Sequence, residues 1–219
     1  MTKLAIFDCD GTLVDSGATI YGALAETFEA HRLELPPDCR RVIGLSLTEA
    51  MAALVPDADA GEHEALADTY KSCFFRARQR GEVEEPLFEG ILELLDSLES
   101  DGWLLAVATG KSDRGLRHCL DRHGLHARFV SLQTADRHPS KPSPAMALAA
   151  MAEAGASRDQ TIVVGDTSFD MAMAVAAGAA AIGAGWGYHD KDELISGGAR
   201  AVAKAPADVL VLAREAVDG

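Results

Sequence analysis

The sequence has few cysteines and no long apolar run. Only four cysteines occur in 219 residues, Cys9, Cys39, Cys73 and Cys119, far apart and with no CxxC pair. That excludes the dense disulfide framework of small secreted domains, and reduced thiols are expected. No window approaches the ~18–20 uncharged apolar residues that a membrane helix needs. The alanine-rich tract from Met171 to Ala184 comes nearest, and its glycines split it into a helix and a strand. The N-terminus lacks a basic region followed by an apolar stretch, because Asp8 interrupts the short run Lys3–Phe7. No membrane association and a cytoplasmic location are therefore expected. Basic residues are also scarce: 20 Lys and Arg face 34 Asp and Glu, a formal net charge of -14. Such a field repels nucleic acid and anionic lipid and favours cations such as Mg²⁺. There is no GxxxxGKS or GxxxxGKT stretch, which excludes P-loop chemistry, and no internal repeat or low-complexity tail.

What is present is enough apolar content, 48%, for a real core. Short apolar runs ending in polar or glycine-rich turns recur at Lys3–Phe7, Trp103–Ala108, Arg128–Leu132, Thr161–Val164 and Ala179–Ile182. Continuous apolar character suits strands buried on both faces of a parallel sheet. Helical patterns alternate with them at Gly90–Ser100, Arg114–His123, Ser143–Ala154, with Pro144 expected at its first helical position, and Phe169–Ala177. This alternation predicts an α/β fold with a doubly wound parallel sheet. Residues 16–85 break the rhythm, with amphipathic helices at Ile20–His31, Leu47–Leu54 and Glu62–Arg80 and no convincing strand. They are expected to form an inserted all-helical cap, with 1–15 and 86–219 making the α/β core.

Four motifs fall at strand ends or in the adjoining loops. The first strand runs into Asp8-Cys9-Asp10-Gly11-Thr12, where period-two alternation sends Asp8 and Asp10 to one side and Cys9 to the other. Two carboxylates thus meet at the carboxyl end of a strand, where open α/β sheets bind ligands. Thr109-Gly110-Lys111 offers a hydroxyl and amides suited to phosphate oxygens. Lys141 is framed by two prolines and two serines in Ser140-Lys141-Pro142-Ser143-Pro144. Gly165-Asp166 and Asp170 add hard oxygen ligands of the kind Mg²⁺ takes. Taken singly, each has a structural alternative: a turn, a cap, a surface lysine, or acids favoured at a helix start. Their joint placement favours one site.

Together Asp8-Cys9-Asp10-Gly11-Thr12, Thr109-Gly110, Lys141 and Gly165-Asp166 with Asp170 resemble the four signature motifs of the haloacid dehalogenase superfamily, over nearly the whole chain. The helical insert resembles that superfamily's first type of cap. The resemblance implies a magnesium-dependent phosphatase in which Asp8 is the nucleophile and Asp10 the general acid, later the base. It implies that Thr109 holds phosphoryl oxygens, that Gly11, Thr12 and Gly110 are substrate-binding positions, and that Lys141 offsets charge. It implies a metal held by Asp8, the Asp10 backbone carbonyl and Asp166, with Asp170 in support. The aspartate at position 10 separates this pattern from the dehalogenase and phosphonatase branches. Gly185-Trp186-Gly187-Tyr188 and Asp136-Arg137-His138-Pro139 look like the phosphoglycolate-phosphatase-like branch. One departure is Gly110, where many relatives carry asparagine.

The implied partner is a small phosphorylated metabolite, phosphoglycolate first, with sugar phosphates, pyrophosphate, pyridoxal phosphate and nucleoside monophosphates also open, and the chain is expected as a monomer or homodimer. A sugar-phosphate phosphomutase on the same core is the alternative enzyme. A non-catalytic binding protein is disfavoured, since Asp8, Asp10 and Lys141 are all retained. His118, His123 and His126 lack a helical i, i+4 ligand pair and read as a solvated helix end. Trp186 and Tyr188 read equally as site-entrance residues or packing anchors. Arg40, Arg41 and Gly44 lie between two cap helices, with solvated arginines the favoured reading.

Overall fold

A computed structural model describes residues 1–218; Gly219, the last residue of the expected core segment, lies outside them. The strands β1 (Lys3–Phe7), β2 (Trp103–Thr109), β3 (Phe129–Thr134), β4 (Thr161–Gly165), β5 (Ala180–Ala184) and β6 (Ala201–Ala203) form one sheet in the order β3-β2-β1-β4-β5-β6. Every pairing is parallel. The order reverses between β1 and β4, so a crevice opens at their carboxyl ends, the ligand-binding place of such sheets. Asp8 follows β1 there and Asp166 follows β4. The sixth strand was not among the five expected; three residues after a glycine pair are too few to show a pattern of their own.

Alternation along β1 serves two cores. Ala5 and Phe7 pack beneath α4 (Ile91–Ser100), α5 (Asp113–Arg122) and α9 (Val209–Asp218), while Leu4 and Ile6 pack beneath α6 (Ala145–Ala154), α7 (Ser168–Ala177) and α8 (Lys191–Ser196). Both faces are covered, which is why the strands read as unbroken apolar runs. Helix α6 starts one residue after Pro144, which stands at the N-cap rather than at the first helical position.

Between β1 and α4 lie α1 (Gly17–Ala30), α2 (Leu47–Leu54) and α3 (Ala60–Gln79). They bury their own cluster, Leu24, Phe28, Cys39, Met51, Leu66 and Ala67. Asp59 starts α3 with a capping box, its carboxylate accepting from the Glu62 N–H at 2.9 Å while Glu62 accepts from the Asp59 N–H. The segment leaves and rejoins the sheet at one place. Asp15 N–H donates to the Pro86 carbonyl at 2.8 Å, and the Thr19 hydroxyl both donates to the Glu84 carbonyl and accepts from the Glu84 N–H.

Candidate active site

Asp8 sits one residue beyond β1, its N–H donating to the Val164 carbonyl at 2.9 Å, so the backbone ladder itself aims the side chain into the crevice. Its Oδ2 lies 2.9 Å from Lys141 Nζ, and the same ammonium lies 2.7 Å from Asp170 Oδ1. All three residues are at most 1% exposed. One ammonium thus serves two buried carboxylates at once. Asp170 does a second job, closing the N-terminus of α7 by accepting from the Thr167 N–H and hydroxyl at 3.1 and 2.6 Å. Helix-start acid and site residue are therefore one and the same.

Asp166 is held from both sides, accepting from the Thr12 hydroxyl at 2.7 Å and the Tyr188 N–H at 3.0 Å. Two glycines make room for it. A Cβ on Gly11, whose φ is +83°, or on Gly187 would stand 2.1 Å from Asp166 atoms. One carboxylate oxygen from each of Asp8, Asp166 and Asp170 lies within 4.8 Å of the others. Burial pushes the Asp8 carboxyl up to about 7, with the charges of Asp170 and Asp10 adding to the shift and Lys141 opposing it. Burial, then Asp170 and Asp8, push Asp166 well above its ordinary value. Burial works against the Lys141 charge, but Asp170 and Asp8 outweigh it and raise that group. Asp8, Asp166 and Asp170, all buried, share one ammonium, and this set of hard oxygen ligands suits a divalent cation.

Asp10, near enough for its charge to add to the rise of Asp8, is held by a different lysine. Its carboxylate accepts from the Ser16 hydroxyl and lies 2.8 Å from Lys111 Nζ, which also reaches Glu85 Oε1 at 2.5 Å. The Asp10 side chain therefore stands outside the cluster of the other three acids. Thr109 ends β2, its hydroxyl accepting from the Lys111 N–H at 3.2 Å. Lys111 and Glu85 escaped sequence reading. Lys111 stood in the quoted Thr109-Gly110-Lys111, but nothing in the sequence paired it with a glutamate 26 residues earlier. Gly110 carries no side chain because the Leu45 carbonyl would lie 2.3 Å from its Cβ.

The weighed residues resolve as well. Trp186 is an anchor, its indole N–H donating to the Thr12 carbonyl at 3.0 Å, and the Tyr188 ring packs on Gly11 and Gly17. His118 and His126 are exposed, whereas the His123 ring is half-buried and bonds the Glu85 carbonyl at 2.7 Å, which departs from a solvated helix end. Arg40 is exposed, with its guanidinium 5.9 Å from the Tyr21 ring centre. Arg41, though largely exposed, pairs with Glu193, and its carbonyl meets His189 Nε2 at 3.1 Å. Gly44 lies over Asp8, its Cβ position 3.7 Å from Asp8 Oδ2.

Cys9 points away from the acids into the sheet core, its Sγ 3.9 Å from that of Cys119. Cys9→Ser should therefore lower stability by about 1 kcal/mol, the scale for a hydroxyl buried with a weak partner, and leave kcat unchanged. Urea melts and steady-state assays check this, and a total loss of turnover would contradict the placement.

A buried strand-end carboxylate held by a lysine among further acids, at the crevice of a doubly wound sheet, suits an enzyme that uses a carboxylate nucleophile beside a cation. The family model of haloacid dehalogenase-like hydrolases matches residues 5–184, and the chain belongs to that family. A probable phosphatase named IndB from Dickeya dadantii is 35% identical over 216 residues, covering 96% of this chain and 93% of the relative. A phosphoglycolate phosphatase from Agrobacterium fabrum is 30% identical, covering 87% and 83%. Among solved structures, a hydrolase from Pseudomonas syringae superposes with a TM-score of 0.85 at 27% identity, covering 98% and 99%. The protein is a phosphatase of this family.

Proposed function

We propose that the protein is a magnesium-dependent phosphatase that hydrolyses a small phosphate monoester, phosphoglycolate first, through an aspartyl-phosphate on Asp8. The observation that carries this reading is the buried Asp8 at the end of β1, 2.9 Å from Lys141 and clustered with Asp166 and Asp170. In the first step an Asp8 oxygen forms a bond to phosphorus while the bond to the ester oxygen breaks, and Asp10 gives that oxygen its proton. In the second step Asp10 takes a proton from water as the water attacks phosphorus, releasing phosphate and restoring Asp8. Thr109, with the positions Gly11, Thr12 and Gly110, binds the phosphoryl oxygens, and Lys141 offsets charge on Asp8 and the phosphate. Asp8, Asp166 and Asp170, with the Asp10 main-chain carbonyl, would hold Mg²⁺. When bound, the ion screens the repulsion between carboxylate and phosphate dianion.

Residues 16–85 act as the cap and 1–15 with 86–219 as the catalytic core in this reading, supported by the separate apolar cluster of the cap helices. Phosphoglycolate is favoured by the name of the Agrobacterium relative and by the glycine roof over Asp8, which leaves little height for a leaving group. Among the described residues no helix is long and apolar enough to cross a membrane, and a cytoplasmic place fits such a substrate.

Phosphate release from a panel of small phosphate esters, phosphoglycolate included, measured with Mg²⁺ and again with EDTA, tests the proposal. Strong metal-dependent turnover of one ester is expected. Release indifferent to EDTA, or none from any ester, would overturn it.

A further inference from the structure

The loop Ile43–Ser46 joins a short helical turn (Cys39–Val42) to α2 and comes down onto the acids. Gly44, at φ +98°, turns its bare Cα toward Asp8 and Thr167, with 3.4 Å to Thr167 and 3.7 Å to Asp8 Oδ2 from the Cβ position. The loop and the turn that leads into it are seated at three points. Ser46 N–H donates to the Ser140 hydroxyl at 2.8 Å, the Arg41 carbonyl meets His189 while Arg41 pairs with Glu193, and the carbonyls of Gly44 and Leu45 rest on Gly110.

The third seat is purely steric. A Cβ on Gly110 would stand 2.3 Å from the Leu45 carbonyl oxygen, 2.8 Å from that of Gly44 and 2.9 Å from the Leu45 carbonyl carbon. All three are backbone atoms, which cannot swing aside as a long side chain can, so any side chain at position 110 lifts the loop as a whole. The height of the roof over Asp8 is thus set from below, by an absent side chain on β2's turn.

We propose that Gly110 is a specificity-determining residue: by letting the Gly44–Leu45 backbone settle onto the turn after β2, it lowers the roof over Asp8 and restricts the closed enzyme to phosphate esters of compact leaving group. This rests on the phosphatase reading above. An asparagine side chain at position 110 and this loop position would occupy the same space. The loop must rise to admit substrate, as lids do, and Gly110 defines how far it falls back.

The test compares Gly110→Ala, the mildest change, and Gly110→Asn with the wild type. Hydrogen exchange of the loop amides, Ser46 above all, is followed in the metal-free protein. The ratio of kcat/KM for ribose 5-phosphate to that for phosphoglycolate is measured with Mg²⁺. Exchange at Ser46 should quicken by about tenfold or more as the lifted loop loses Ser140, and the ratio should rise by about tenfold, within the range that pocket shape commands. Ser140→Ala, which removes one seat without adding bulk, should quicken exchange and leave the ratio unchanged. Unchanged exchange in both Gly110 variants overturns the seating, and faster exchange with an unchanged ratio overturns the role in selection. The exchange readout needs no turnover. If no protein hydrolyses any ester, the phosphatase reading fails and selection falls with it, while the seating is decided separately by the exchange.

Discussion

Asp8→Asn is expected to abolish turnover while leaving the metal-free protein as stable as the wild type or more so at pH 8. The loss should be at least about 10⁴-fold in kcat, the scale on which removing a nucleophile acts, since an amide cannot form the acyl phosphate. The stability half follows from the carboxyl's position at about 7, driven first by burial. A group whose folded value is raised binds its proton more tightly in the folded chain, so its stabilising share is present below the ordinary value of 3.8 and is lost as pH climbs through about 7. At pH 8 the wild type without metal bears that loss in full, and asparagine does not. The substitution leaves Lys141 its other partner, Asp170, 2.7 Å away in the wild type. In EDTA, the difference in Tm between variant and wild type should therefore grow in the variant's favour from pH 5 to pH 8, and adding Mg²⁺ should raise the wild type. Calorimetry at both pH values and an assay of phosphate release check this. Full activity in Asp8→Asn would remove Asp8 from the chemistry, and a variant clearly weaker at pH 8 would mean that the attraction to Lys141 outweighs the burial.

Lys141→Met is expected to cost stability and activity together. Methionine keeps most of the stem's volume but deletes the ammonium that lies between Asp8 and Asp170. With the lysine gone, buried carboxylates face one another uncompensated, a change worth about 3–5 kcal/mol at neutral pH. Lower pH should return part of it, because protonated carboxyls no longer repel. Turnover should fall by roughly 10²–10³-fold or more, the scale for removing a charge-stabilising donor from a buried site. Lys141→Arg should not rescue the enzyme, since a planar guanidinium does not fit a fully enclosed place shaped around an ammonium. Urea unfolding at two pH values and steady-state kinetics read both effects. A Lys141→Met protein as stable as the wild type would show that the acids are relieved by something other than this lysine.

The sheet was legible because its central strands are covered on both faces and therefore write continuous apolar runs, as Leu4 and Ile6 on one side and Ala5 and Phe7 on the other illustrate. β6 escaped because Ala201–Ala203 is too short for any period to show. The acids and Lys141 could be grouped from sequence because parallel strands deliver their carboxyl ends to one edge. Lys111 and Glu85 could not be, since their pairing depends on how the chain returns from α3, which no local pattern encodes. The contact between Gly110 and Leu45 was equally hidden: it joins a turn in the sheet to a loop that arrives from above it. Asp166 shows the same limit on a smaller scale, for its motif was visible but its partners Thr12 and Tyr188 come from two other loops.

The neighbouring linkers have a consequence for how this chain can change over time. Asp15 and Pro86 share a hydrogen bond of 2.8 Å, so the helical segment is threaded through the sheet's edge like a loop whose two ends are already tied together. The entropy of closing such a loop grows only slowly with its length. Residues can therefore be added to its exposed turns, or taken out of them, at little entropic cost to the sheet. The stretch Ile43–Ser46 is the exception: resting on Gly110 and Ser140, it can change only in step with the residues beneath it.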